Sequence, residues 1–133
     1  MILPEKKFER NEKLIGQNFR DWEGQSYSNI PNIEFLKNYN IFKFKPLKSE
    51  SHKELYGRVR FAILCIAKKS RNKSSLVIEH AGTISSAIGL TLNPHWNCLN
   101  YNIRNLSIRR IKYRQDNDFF LANNGFNKML IYG

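Results

Sequence analysis

Leu76-Val77-Ile78-Glu79-His80-Ala81-Gly82 is a short apolar run that closes on two small residues. Such a run, too short for a buried helix and bounded by turn formers, reads as a strand ending in a tight turn. Upstream, residues 54–70 change period: Val59, Ala62, Ile63, Ile66 and Ala67 fall on one helical face, and Phe61, Leu64 and Cys65 widen it. Downstream, Ser85 or Ser86 can cap a short helix through Ala87, Ile88 and Leu90, which Asn93-Pro94 ends because proline cannot continue it. After a polar connection, Leu106-Ser107-Ile108 and Ile111-Lys112-Tyr113 predict a long strand with a bulge or bend near Arg109-Arg110. Phe119-Phe120-Leu121 prolong it, Asn124-Gly125 supplies a hairpin turn, and Lys128 to Tyr132 form the return strand. The predicted class is α+β, with a small mixed sheet, a C-terminal β-hairpin and two helices on one face.

Residues 1–53 read differently, as an irregular, aromatic-rich N-terminal arm before a 54–133 domain. Phe8, Phe19, Trp22, Tyr27, Phe35, Tyr39, Phe42 and Phe44 occur there without a sustained helical period. Ile41 to Lys45 alternates apolar and basic residues until Pro46, as a short strand with one wet face would. The polar stretch from Pro46 to Lys53 is the expected boundary.

The whole chain has 133 residues, 22 Lys plus Arg against 11 Asp plus Glu, and a net charge of +11. Residues 1–50 hold 9 basic and 7 acidic side chains, residues 51–133 hold 13 and 4, and Glu79 is the only carboxylate between Arg58 and Arg114. A basic half of this kind suits a polyanionic partner, nucleic acid first. The longest apolar run, Phe61 to Ala67, has seven residues where a membrane span needs about 20, so no membrane partner is expected. Cys65 and Cys98, without a visible signal or import peptide, suit a reducing compartment. Sixteen Asn, 14 Ile and 13 Lys against 5 Ala point to an AT-rich gene, from an organelle or from an AT-rich bacterium whose cytoplasm would then be the site of action.

The chemistry-bearing residues are sparse. His95 and Cys98, with His80 as a third ligand, make one imperfect pair where zinc wants two, so no metal and no cofactor are expected. Glu79-His80 followed by Asn100, Asn102 and Asn105 faintly resembles an H-N-H nuclease pattern, but no second histidine follows it at a suitable spacing. No Gly-Lys-Ser/Thr phosphate loop and no nucleophile elbow is present, so the sequence predicts no catalytic residue and no enzyme. Cations are better placed for binding. Arg58 and Arg60 open the long helix, and Lys68, Lys69, Arg71 and Lys73 follow its end, where they either complement the helix dipole or meet RNA. Arg104, Arg109, Arg110, Lys112 and Arg114 interleave with apolar residues, so one strand face could reach phosphates while the other is buried.

The order of these segments also resembles a known family. Gly57-Arg58-Val59-Arg60-Phe61-Ala62, Leu76 to Ile84, Ser85 to Asn93, Ile111-Lys112-Tyr113 and Lys128 to Tyr132 stand at spacings similar to those in the C-terminal domain of the third protein of the ribosomal small subunit. That family's N-terminal half is a KH domain, and residues 1–56 carry no G-x-x-G loop. The resemblance implies an α+β scaffold in the head of the small subunit near the messenger entry side, binding rRNA through the eleven cations above. Its implied partners are rRNA, neighbouring ribosomal proteins, nearby messenger RNA and a separate chain carrying the KH half, as in split mitochondrial, organelle-encoded forms. A small nuclease or another RNA-binding module is the alternative.

Overall fold

The structure, a computed structural model, describes residues 8–30 and 38–126. Its architecture is α+β: helices α1 (Asn38–Lys43), α2 (His52–Lys69) and α3 (Ala81–Gly89), several 3-10 turns, and strands β1 (Ile108–Arg114) and β2 (Asp118–Phe126). An irregular N-terminal segment precedes them.

Helix α2 begins where its sequence can satisfy its own end. Ser51 Oγ accepts the Glu54 amide at 3.2 Å while the Glu54 carboxylate accepts the Ser51 amide at 2.9 Å, a reciprocal capping box. Lys45 Nζ donates to the same carboxylate at 2.6 Å. That bond, followed by the Ser51 amide, holds the Glu54 pKa down to about 2. From this start the helical face predicted by the spacing turns inward: Leu55, Val59 and Ala62 are buried with Leu14 and Ala87, and Ile63, Ile66 and Ile111 pack around them.

Four local expectations need correction. Helix α3 starts at Ala81, ahead of the serines expected to cap it, and Ser85 and Ser86 lie buried inside it. Both hydroxyls find tertiary partners, Cys98 O at 3.0 Å and His52 Nε2 at 3.2 Å, so neither is needed as a cap. Residues 41–43 are helical rather than a strand, and Phe42 is fully buried from that helix against the rings of His52, Tyr56 and His95. The hairpin turns at Gln115–Asn117, where Asp116 adopts φ 73°, a left-handed geometry that Asp and Asn tolerate. Asn124 and Gly125 therefore sit inside β2, and Phe119 to Leu121 belong to the returning strand, facing Tyr113 to Ile111. The return strand expected at Lys128 to Tyr132 lies outside the described residues.

The fourth correction concerns the opening stretch. Leu76 to His80 carries no regular secondary structure, and among the described residues it pairs with no strand. Leu76 and Ile78 are 75% and 70% exposed. The irregularity predicted near Arg109-Arg110 is present, as register shifts between Ile108 and Ile111.

Candidate active site

The chain has three histidines, and their surroundings separate them. His52 is buried in the first turn of α2, its Nε2 3.2 Å from Ser86 Oγ and 3.8 Å from Cys98 Sγ. Burial lowers its pKa to about 4, against a smaller opposing pull from Glu50. His95 stacks on Tyr56 at 4.7 Å and meets Phe42 and Trp96 edge-on, and burial and then Lys53 lower its pKa. Both are packing groups. His80 alone is exposed, at the junction between residues 76–79 and α3.

His80 is the N-cap of α3, and its carbonyl accepts the Ile84 amide at 3.0 Å while its side chain makes no capping bond. The first amides of α3, those of Ala81 and Gly82, carry the positive end of the helix dipole. A shallow, open cleft of about 730 Å³ lies beside the ring, lined by Ile15, Gly16, Gln17, Asn18, Arg20, Asp21, Glu23 and His80. Gly16 sets its inner wall: a Cβ there would stand 3.6 Å from the His80 ring, in van der Waals contact.

The loop opposite His80 is held by one ion pair. Arg58 Nε and Nη2 donate to the two Glu50 carboxylate oxygens at 2.7 and 2.9 Å, and the same guanidinium reaches Lys13 O at 2.8 Å and Gly16 O at 3.1 Å. Glu50 holds the loop from its other side, through its carbonyl to Gln17 Nε2 and its amide to Asn18 O, both at 2.9 Å. Arg20 stands on the cleft with φ 35°, a left-handed backbone sustained by its amide bond to Asn18 Oδ1 and by Glu23 accepting the Phe19 amide. Trp22 stacks on Phe44 at 5.6 Å and fastens the far end of the loop.

The cations expected to bind RNA are distributed over several elements. Arg58 is consumed internally by Glu50 and two carbonyls, and Arg60 lies exposed on α2. Lys68, Lys69, Arg71 and Lys73 are exposed at and beyond the end of α2, Lys69 facing Glu9 at 3.9 Å. Arg104 is exposed and Arg109 turns back on Asn102 O at 3.3 Å. Arg110, Lys112 and Arg114 share one exposed face of β1, with Arg114 over the Phe120 ring at 4.2 Å. None of the eleven lines the His80 cleft. Among the described residues no three His, Cys, Asp or Glu side chains are grouped to hold a metal ion, and His95 and Cys98 are occupied by aromatic packing and by burial. No helix among the described residues is long and apolar enough to cross a membrane.

Sequence reasoning weighed His80 only as a zinc ligand or nuclease histidine and passed over the Gly16–Glu23 loop. The available signal was a histidine followed by Ala-Gly at a strand-to-helix junction, where small residues leave backbone amides open. The loop gave none, because its approach to His80 depends on the Arg58 clamp, 42 residues away from Gly16 in the chain.

A family model described as the histidine phosphatase superfamily (branch 1) matches residues 3–124. No curated protein and no solved structure matches the chain. The match overturns the ribosomal resemblance and with it the scaffold role, the rRNA, messenger RNA, ribosomal-protein and KH-chain partners; the nuclease and RNA-binding alternatives gain no support. The spacings that carried that resemblance are those of a helix, an apolar segment and a second helix, an order many α+β chains share. The superfamily is in general one of enzymes, which conflicts with the reading of the chain as a non-enzyme.

Proposed function

The chain belongs to the histidine phosphatase superfamily (branch 1), and from that membership we propose that it acts on phosphate monoesters at the His80 cleft. The observation that carries this is that His80 alone among the three histidines is exposed, lines a cleft and stands at the N-terminus of a helix. A neutral imidazole there can attack phosphorus, forming an N–P bond as the ester P–O bond breaks; a proton must reach the departing oxygen, and water then hydrolyses the phosphohistidine. Asp21 and Glu23 are the cleft carboxylates able to handle those protons, and Arg20 with the α3 amides faces the phosphoryl oxygens.

The test is hydrolysis of p-nitrophenyl phosphate by the wild type, His80→Asn and His95→Asn, each checked for folding by circular dichroism. His80→Asn should lose roughly 100-fold or more in kcat/KM, in the range of a removed nucleophile or acid–base group, while His95→Asn keeps most of its activity. A 31P signal of phosphohistidine, absent in His80→Asn, is the direct counterpart. Undiminished turnover by folded His80→Asn would refute the assignment.

A further inference from the structure

Strand β1 has two unlike faces. Arg109, Ile111 and Tyr113 are half-buried, with Ile111 against the core, whereas Ile108, Arg110, Lys112 and Arg114 are exposed. The turn that feeds the strand runs from Arg104 to Ser107 and is closed by the Ser107 amide on the Arg104 carbonyl at 3.2 Å. Leu106 holds the third position of that turn with φ 59° and is 80% exposed. The position is doubly unfavourable for it, since a left-handed backbone suits glycine or asparagine and an apolar side chain in water gains nothing. Asn105, the residue such a position favours, stands one place earlier. Strained residues of this kind concentrate where they serve a contact. Ile108, 43% exposed, follows on the outer face, so two apolar side chains are flanked by the exposed cations Arg104, Arg110 and Lys112.

We propose that the outer face of β1, with the turn at Leu106, docks on an anionic lipid bilayer, lying on its surface without spanning it. The mixture of groups selects this partner. A soluble polyanion rewards the cations but gains nothing from Leu106 and Ile108, and a neutral apolar partner would leave the cations without counter-charge. A bilayer with acidic headgroups accepts both, the apolar side chains at the boundary of headgroups and acyl chains and the cations among the phosphates. The carboxylates of this part of the chain are Asp116 and Asp118, at the hairpin turn, where Asp118 pairs in register with Arg114. Arg114 is eight residues beyond Leu106, about 26 Å of extended chain. That is roughly three Debye lengths at physiological salt, so a surface met at the Leu106 end is screened from those carboxylates. The proposal is independent of the reading of the His80 cleft.

The test is co-sedimentation of the full chain with vesicles of phosphatidylcholine alone and of phosphatidylcholine mixed with an equal part of phosphatidylserine. The chain should pellet with the second and stay in solution with the first. Leu106→Asn should weaken binding about tenfold, the loss of one buried apolar side chain, while raising the urea midpoint because asparagine tolerates the left-handed backbone. A leucine that served only the fold would not part the two readouts in this way. Lys112→Gln should weaken binding about fivefold, and Lys68→Gln, at the end of α2, should leave it unchanged. No pelleting with the acidic vesicles, or equal losses from Lys68→Gln and Lys112→Gln, overturns the proposal. If Leu106→Asn binds the acidic vesicles as well as the wild type does, the face reads charge alone and a soluble polyanion such as inorganic polyphosphate takes the place of the lipid, which overturns it too.

Discussion

Arg58 illustrates how one residue's role is decided by its partners. Its sequence position at the start of a basic helix suggested a solvent-facing phosphate ligand, but its guanidinium is shared between the Glu50 carboxylate and the carbonyls of Lys13 and Gly16. Arg58→Ala should cost about 3 kcal/mol in urea unfolding, because it leaves a half-buried carboxylate unpaired and two carbonyls without their donor. Arg58→Lys should recover only part of that loss, since an ammonium cannot span the fork. His52 gives a second prediction at this scale. Burial depresses its pKa from 6.5 to about 4, so between those values the unfolded chain binds a proton that the folded chain does not. Stability attributable to His52 is therefore complete above about pH 6.5 and is lost as the pH falls towards 4, by up to about 3 kcal/mol. Urea midpoints of the wild type and His52→Gln across that window should converge as acid is added; parallel curves would contradict the assignment.

At the scale of elements, α2 and α3 are held close by small residues as much as by large ones. A Cβ at Gly89 would stand 3.1 Å from both His95 O and the Tyr56 ring, tighter than ordinary contact. Gly89→Ala should lower stability by about 1–2 kcal/mol, read in thermal or urea unfolding, because the backbone oxygen cannot move aside as a flexible side chain would. Helix α2 was legible from its 3.6-residue pattern, whereas its start at His52, two residues ahead of the expected one, is set by the Ser51–Glu54 capping box. Helix α3 was legible in part. Ser85 and Ser86 look like caps in isolation, and only the buried partners Cys98 and His52 explain why they lie in the helix interior. The hairpin shows the same division. The alternation over 108–114 predicted the strand, whereas two turn-compatible segments, Gln115–Asn117 and Asn124-Gly125, compete locally and the pairing of Tyr113 with Phe119 settles which one turns.

At the scale of the whole molecule, the excess of positive charge proved a poor guide to the site. The eleven cations selected for RNA binding lie at the start, end and beyond the end of α2, before and along β1, and in the internal Arg58 clamp, and none of them lines the cleft beside His80. The sequence by itself determined the α+β class, the core face of α2 and the bulge near Arg109-Arg110, since each follows from periodicity or chain chemistry within a few neighbouring residues. It also marked Leu76 to Ile78 as strand-forming, but not that the segment would lack a partner strand among the described residues. Only the tertiary structure decided that Phe42 is buried from within a helix, that His52 and His95 are packing groups, that Gly16 lies against His80 and that Arg20 lines the same cleft. Those outcomes depend on groups tens of residues apart competing for the same buried volume and the same hydrogen bonds, and a local pattern carries no information about which of them wins.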